Sequence, residues 1–221
     1  MSKMNPSIQF NDEEFKPSLQ EIKDIVGLPD WKIINVYLYG SRVYGTCHRD
    51  SDFDFLVVAR SLDREREIRS GRYNIHVHTP DKFEDDLMSY RMVNMECIYA
   101  PSFARFQECT DFFRVFKINP FVFKKAIFKQ SHDAWLKASI KFREMDIDRA
   151  TKSLFHSLRI LAFGIYIFEE DDILDFSLAN SYWDEISKIE EFKWNIFKEK
   201  FLPQKKGLEN ILMNAEQKMY N

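Results

Sequence analysis

Glycine and cysteine are scarce in this chain, with 6 and 3 of 221 residues, and there are only 7 prolines. So little glycine and proline excludes a collagen-like or low-complexity protein. The three cysteines, Cys47, Cys97 and Cys109, are an odd number at unrelated spacings. They read as reduced thiols, which makes a cytoplasmic protein the expectation. No pair of Cys or His has the spacing of a zinc site. Long apolar runs are missing as well: none approaches the roughly 18 residues of a membrane span. The opening stretch, MSKMNPSIQFNDEEF, lacks the apolar core of a signal peptide. Nor is there a large excess of one charge. A net charge of −3 points by itself to neither nucleic acid nor membrane.

What the chain does have is apolar mass. It is 45% hydrophobic, with 21 phenylalanines, and 30% of its residues are charged. That suffices for the core of one large domain or two small ones. The first half alternates strand and helix signals. Leu19, Ile22, Ile25 and Val26 recur at helical spacing within Pro17–Val26. Runs rich in β-branched and aromatic residues follow at Ile33–Tyr39, Phe53–Ala59 and Arg72–His78. Behind the last, Thr79 suits a helix cap and Pro80 a first helical position. Strands of this length between helices predict a small mixed sheet.

After about Arg105 the strand signal fades. Phe121–Phe142 and Asp148–Phe168 are long and amphipathic. Shorter helical segments are expected near Ser177–Ile189, Glu191–Phe201 and Lys206–Met219, giving a bundle of four or five helices. The fold class is therefore α+β, with a sheet domain over residues 1–110 and a helical bundle over 111–221. Between Arg114 and Arg159 there are eleven Lys or Arg against four Asp or Glu. That stretch is either a solvated helical surface or a face turned to an anion.

The chemistry is concentrated in Leu38–Val58, LYGSRVYGTCHRDSDFDFLVV. Residues i and i+2 of a strand share a face, so Asp52 and Asp54 point one way and Phe53 and Phe55 the other. Two neighbouring carboxylates repel unless a cation sits between them, and Mg²⁺ or Mn²⁺ suits oxygen ligands completed by phosphates. Gly40 ends the preceding strand and leaves room for close approach to the backbone. Ser41 offers a hydroxyl and an N–H, and a helical turn starting there suits a phosphate. Arg42 has two readings, a phosphate contact or a pairing with a nearby acid.

The apolar–Gly-Ser–spacer–Asp-apolar-Asp-apolar pattern, here Tyr39-Gly40-Ser41 and Asp52-Phe53-Asp54-Phe55, resembles the nucleotidyltransferase superfamily of DNA polymerase β. The runs YGSRVYGT, MECIYAP and KSLFHSLRILAFGIYIFEEDDILDFSLAN are also similar to a group of nucleotidyltransferase-like proteins. The resemblance implies transfer of a nucleoside monophosphate from an NTP to an acceptor, with release of pyrophosphate. It implies that Gly40 and Ser41 hold the β- and γ-phosphates and that Asp52 and Asp54 hold the metal ions. The acceptor would be an RNA 3′ end such as that of a tRNA, a protein side chain or a small molecule.

The family's third carboxylate should fall near Asn74, yet RYNIHVH contains no acid. Its alternating face carries Asn74, His76 and His78. Three readings stay open. Asn74 and His76 form a modified third position, Asn74 as a metal ligand and His76 as a base. Alternatively, one metal and a substrate-supplied base suffice. Or the chain is a catalytically impaired nucleotide sensor or antitoxin-like module. Many superfamily members append a helical domain that closes on the nucleotide. Lys152, His156 and Arg159 share a helix face, which Lys137 could extend, and they are read as a triphosphate clamp or as a wet surface. Leu154, Leu158, Leu161 and Ile165 form the opposite, buried stripe.

Overall fold

The computed structural model describes residues 17–216. The opening residues, on which the signal-peptide expectation rests, lie outside that range, as do the last residues of the expected Lys206–Met219 segment. Among the described residues no helix is long and apolar enough to cross a membrane. The chain divides into two compact units. One comprises the described residues up to Pro80 together with Ser102–Thr110; the other comprises Asp81–Pro101 and Asp111 onwards. Segment 81–101 thus groups with the helices by its contacts, although it precedes residue 110 in the sequence.

The first unit opens with α1 (Leu19–Val26). Ser18 and Glu21 close a reciprocal capping box at its start, and Gly27, at φ 65°, ends it. Strand β1 (Ile33–Tyr39) follows, then the single turn α2 (Ser41–Tyr44), β2 (Phe53–Ala59), β3 (Arg66–Ser70) and β4 (Tyr73–His78). After the excursion into the other unit the chain returns as β5 (Arg105–Glu108). The sheet order is β3-β4-β2-β1-β5. β2 and β4 run parallel and the other neighbours antiparallel, so the expected mixed sheet is present. β1 and β2 have the boundaries that their apolar runs predict.

β3 and β5 were not expected from the sequence. Both lie at the sheet edges, and their residues, REIRS and RFQE, are largely polar. An edge strand is held by its ladder to one neighbour and needs no apolar run. In β4 the burial alternates, with Tyr73, Ile75 and Val77 buried and Asn74, His76 and His78 half-buried. One face of the sheet carries Phe53, Phe55, Ile75 and Val77; the other carries Asp54, Asn74, His76 and His78 beside the buried Leu56 and Val58.

The second unit holds α3 (Pro80–Met88), α4 (Met92–Ile98), α5 (Pro120–Arg143), α6 (Ile147–Glu170), α7 (Asn180–Ser187) and α8 (Trp194–Asn214). Pro80 is the first residue of α3, as its sequence position predicts. The two segments expected around Glu191–Phe201 and Lys206–Met219 are one helix, α8, with Pro203 inside it. A proline in a helix interior loses one backbone bond and costs about 3 kcal/mol. Phe197, Phe201 and Leu212, all fully buried, span both sides of that proline and offset the loss. Trp194 packs edge-on against Trp135, with ring centres 5.1 Å apart.

α5 and α6 approach very closely. Ser131 and Ser157 are buried, and each hydroxyl donates to the other's carbonyl, at 2.8 and 2.9 Å. A Cβ at Gly164 would lie 2.6 Å from Cγ2 of Ile127. Gly164→Ala is expected to destabilise the protein by about 1–3 kcal/mol through overpacking, measured as a lower urea midpoint; an unchanged midpoint would mean that the two helices can part at no cost.

Candidate active site

The site begins where β1 ends. Gly40 turns the chain at φ 83° and ψ −158°, a conformation that L side chains rarely adopt. A Cβ at this position would lie 2.7 Å from Oδ2 of Asp54. The bend and the second aspartate therefore occupy one small volume. Tyr39 pairs with Asp54 across β1–β2, and Asp54 with Asn74 across β2–β4. Nδ2 of Asn74 donates to Oδ1 of Asp54 at 2.9 Å. Oδ1 of Asn74 is buried and has no hydrogen-bond partner. The amide orientation follows from Asp54: turned the other way, two oxygens would face each other.

Asp52 precedes β2 and is exposed, while Asp54 is half-buried. The backbone at Asp52 is held from below. Arg42 is buried, and its Nε donates to the Asp52 carbonyl at 3.2 Å and its Nη2 to the Ser51 carbonyl at 2.6 Å. Its guanidinium lies 3.7 Å from the centre of the Phe53 ring. Arg72 donates to the carbonyls of Arg49 and Ser51. These two arginines fix the loop on which Asp52 sits. His76 lies on the same sheet face as Asn74, with its ring centre 6.4 Å from that of Tyr39.

Sequence reasoning missed Arg69 and Glu67, which stand on the unexpected strand β3. Arg69 is in register with Asn74 and Glu67 with His76. Arg69 binds Glu67 through Nη2 at 2.7 Å, and the charges of Asp52 and Asp54 both act on it. The alternation of charges around Ile68 was the only available signal, and it is weak.

The remaining candidates lie in the helical unit. Lys137 is exposed on α5, and Lys152 is exposed on α6, where it pairs with Asp148 at 2.9 Å. Leu154, Leu158, Leu161 and Ile165 are buried as expected. Arg159, however, is not on a wet face: it is buried, and its Nη1 donates to Oε1 of the buried Glu96 at 2.6 Å. Its Nη2 lies 2.9 Å from Nδ1 of His156. Arginine can only donate, so that nitrogen accepts. Burial, then the charges of Arg159, Lys137 and Lys152, push the His156 pKa down to about 3.

Comparison with known proteins follows the same lines. Residues 19–105 match the family model described as a nucleotidyltransferase domain. That stretch runs from α1 to the first residue of β5 and is the part of the chain similar to the family. No curated protein matches the chain. Among solved structures, a nucleotidyltransferase-like protein from Exiguobacterium sibiricum 255-15 is 13% identical, with 89% of this chain and 73% of that one covered and a TM-score of 0.34. A spectinomycin adenyltransferase from Enterococcus faecialis, with ATP and spectinomycin, is 15% identical, with 89% and 98% covered and a TM-score of 0.48. Likenesses this loose carry no argument about chemistry.

Two outcomes follow from the geometry. Gly40→Ala combines a disfavoured backbone with a clash against Asp54, so it should cost about 1–3 kcal/mol. Gly71→Ala, where a Cβ meets nothing within 4 Å, serves as the control for positive φ alone; equal urea midpoints for the two variants would contradict the crowding at Asp54. The second outcome concerns pH. Unfolded, His156 takes up a proton near 6.5; folded, only near 3. Between those values the unfolded chain binds more protons, so stability is lost as pH falls, by at most about 1.4 kcal/mol per unit. Urea unfolding at pH 7.5 and 5.5 should show this loss, and His156→Gln should reduce it; an equal loss in both proteins would exclude His156 as the source.

Proposed function

We propose that this chain transfers a nucleoside monophosphate from an NTP to an acceptor and releases pyrophosphate. The observation that supports this best is the close approach of Gly40 to the Asp54 carboxylate, which brings the Gly-Ser bend against the acidic strand. In this reading Gly40 and Ser41 seat the β- and γ-phosphates. Asp52 and Asp54 hold Mg²⁺ or Mn²⁺.

The donor set fits such an ion. Two carboxylates and the unpartnered Oδ1 of Asn74 are hard oxygen ligands, the kind that Mg²⁺ takes along with water and phosphate oxygens. Among the described residues no group of three His, Cys, Asp or Glu could hold a metal by itself, so substrate oxygens would complete the shell. When bound, the ion neutralises charge on the phosphates and the leaving pyrophosphate. Asn74 tethers Asp54 from the next strand and fixes the direction of its carboxylate.

Asn74 also favours a second reading. An amide cannot take up a proton at neutral pH, so a module that binds nucleotide without turnover fits the same residues. Incubating the protein with Mg²⁺ or Mn²⁺, each labelled NTP, and RNA or small-molecule acceptors separates the two. Label transfer or pyrophosphate release should fall at least about 100-fold in Asp52→Ala and Asp54→Ala. Metal-dependent NTP binding without turnover would select the second reading, and no NTP binding at all would remove both.

A further inference from the structure

Four residues stand side by side in register across one face of the sheet: Tyr39, Asp54, Asn74 and Arg69, one from each of β1, β2, β4 and β3. We infer that the acceptor is an oxyanion, a phosphate monoester or carboxylate already ionised at neutral pH, and that Arg69 binds it. This rests on the NTP-dependent transfer proposed above and names the class of its second substrate.

The first support is what the row lacks. A hydroxyl acceptor must lose its proton as it attacks, and a base within hydrogen-bond reach has to take it. The residue beside Asp54 is an amide that donates to that carboxylate, and His76, two residues along the same face, is in register with Leu56 and Glu67 rather than with an aspartate. The buried Oδ1 of Asn74 can accept a hydrogen bond or touch a cation but cannot be protonated.

The second support is what the row adds. Arg69 places a permanent cation one strand beyond Asn74, on the open edge of the sheet. Glu67 holds it through two contacts to one oxygen, Nε at 2.8 Å and Nη2 at 2.7 Å. The side chain is 78% exposed, so its outer edge is accessible to a ligand. A planar guanidinium matches the geometry of carboxylate and phosphate oxygens. The two aspartates alone would repel an anionic acceptor, and Arg69 offsets that repulsion at the sheet edge.

The chemistry balances without a proton. An oxyanion oxygen forms a bond to the α-phosphorus of the NTP. The bond from that phosphorus to the bridging oxygen of pyrophosphate breaks, and pyrophosphate leaves with the electron pair. The product is a phosphoanhydride from a phosphate acceptor or a mixed acyl anhydride from a carboxylate.

The test measures Mg-ATP affinity by calorimetry, then transfer from α-labelled ATP to glycerol 3-phosphate, acetate, glycerol and total RNA. Label should enter glycerol 3-phosphate as a phosphoanhydride, read by ³¹P NMR, or acetate as a hydroxylamine-trappable anhydride, and should spare glycerol and RNA. Arg69→Ala should lower kcat/KM for the anionic acceptor about 10- to 100-fold while Mg-ATP affinity stays constant, with Arg69→Lys between the two. Transfer to glycerol or RNA hydroxyls would overturn the inference, as would an Arg69→Ala protein of full activity. So would Mg-ATP binding with no transfer to any acceptor, or a His76→Asn protein that loses transfer and regains it with added imidazole, which would reveal a base. Absence of Mg-ATP binding would instead overturn the reading on which the inference rests.

Discussion

The crowding of Gly40 against Asp54 governs the sheet unit. Side-chain-free backbone and a carboxylate oxygen share a space in which a methyl group would sit at 2.7 Å. That closeness requires β1 to end at Tyr39, directly opposite Asp54, and the chain to turn with positive φ at the next residue. It also requires Asp54 to be held from its other side, and Asn74 on β4 does this. Strand register, one glycine and the Asn74 hydrogen bond thus converge on a single contact. The same contact brings a turn motif and a strand motif, twelve residues or so apart in the chain, into one place.

Around that contact the charges are separated by depth. Arg42 and Arg72 sit beneath the loop and spend hydrogen bonds on the carbonyls of Arg49, Ser51 and Asp52. Charge-assisted bonds of this kind are strong where water is excluded, so the segment leading to the aspartates is stiff. Arg69 lies on the outside, tied only to an exposed glutamate. An exposed pair contributes at most about 1 kcal/mol and is easily exchanged for another anion. Two arginines therefore shape the site, and a third is available to a ligand at its rim.

The apolar runs at Ile33–Tyr39 and Phe53–Ala59 made β1 and β2 legible to the residue, because strands in the middle of a sheet must be apolar on one face at least. The outer strands β3 and β5 were illegible for the converse reason: their stability comes from ladder bonds that any side chain permits. The sequence also showed the Gly-Ser and Asp-Phe-Asp motifs and the missing acid at Asn74. It could not show that Asn74 bonds Asp54, since that depends on β2 and β4 being parallel neighbours. Arg69 was hidden with its strand. In the bundle, Pro203 suggested a break in α8, but local propensity lost to buried residues on both sides of it.

Arg159 shows why a shared helix face does not establish a shared role. By spacing it belongs with Lys152 and His156. By environment it belongs with Glu96, 63 residues earlier, and the two are buried together on α6 and α4. Withdrawing Arg159 to meet a phosphate would break its buried ion pair with Glu96, at about 3–5 kcal/mol. It would also take away the donor that His156 accepts from. Lys152 has no such commitment, since its partner Asp148 is itself exposed. Lys137 and Lys152 are thus the exposed cations of this group, while Arg159 is a buried strut that joins α6 to α4.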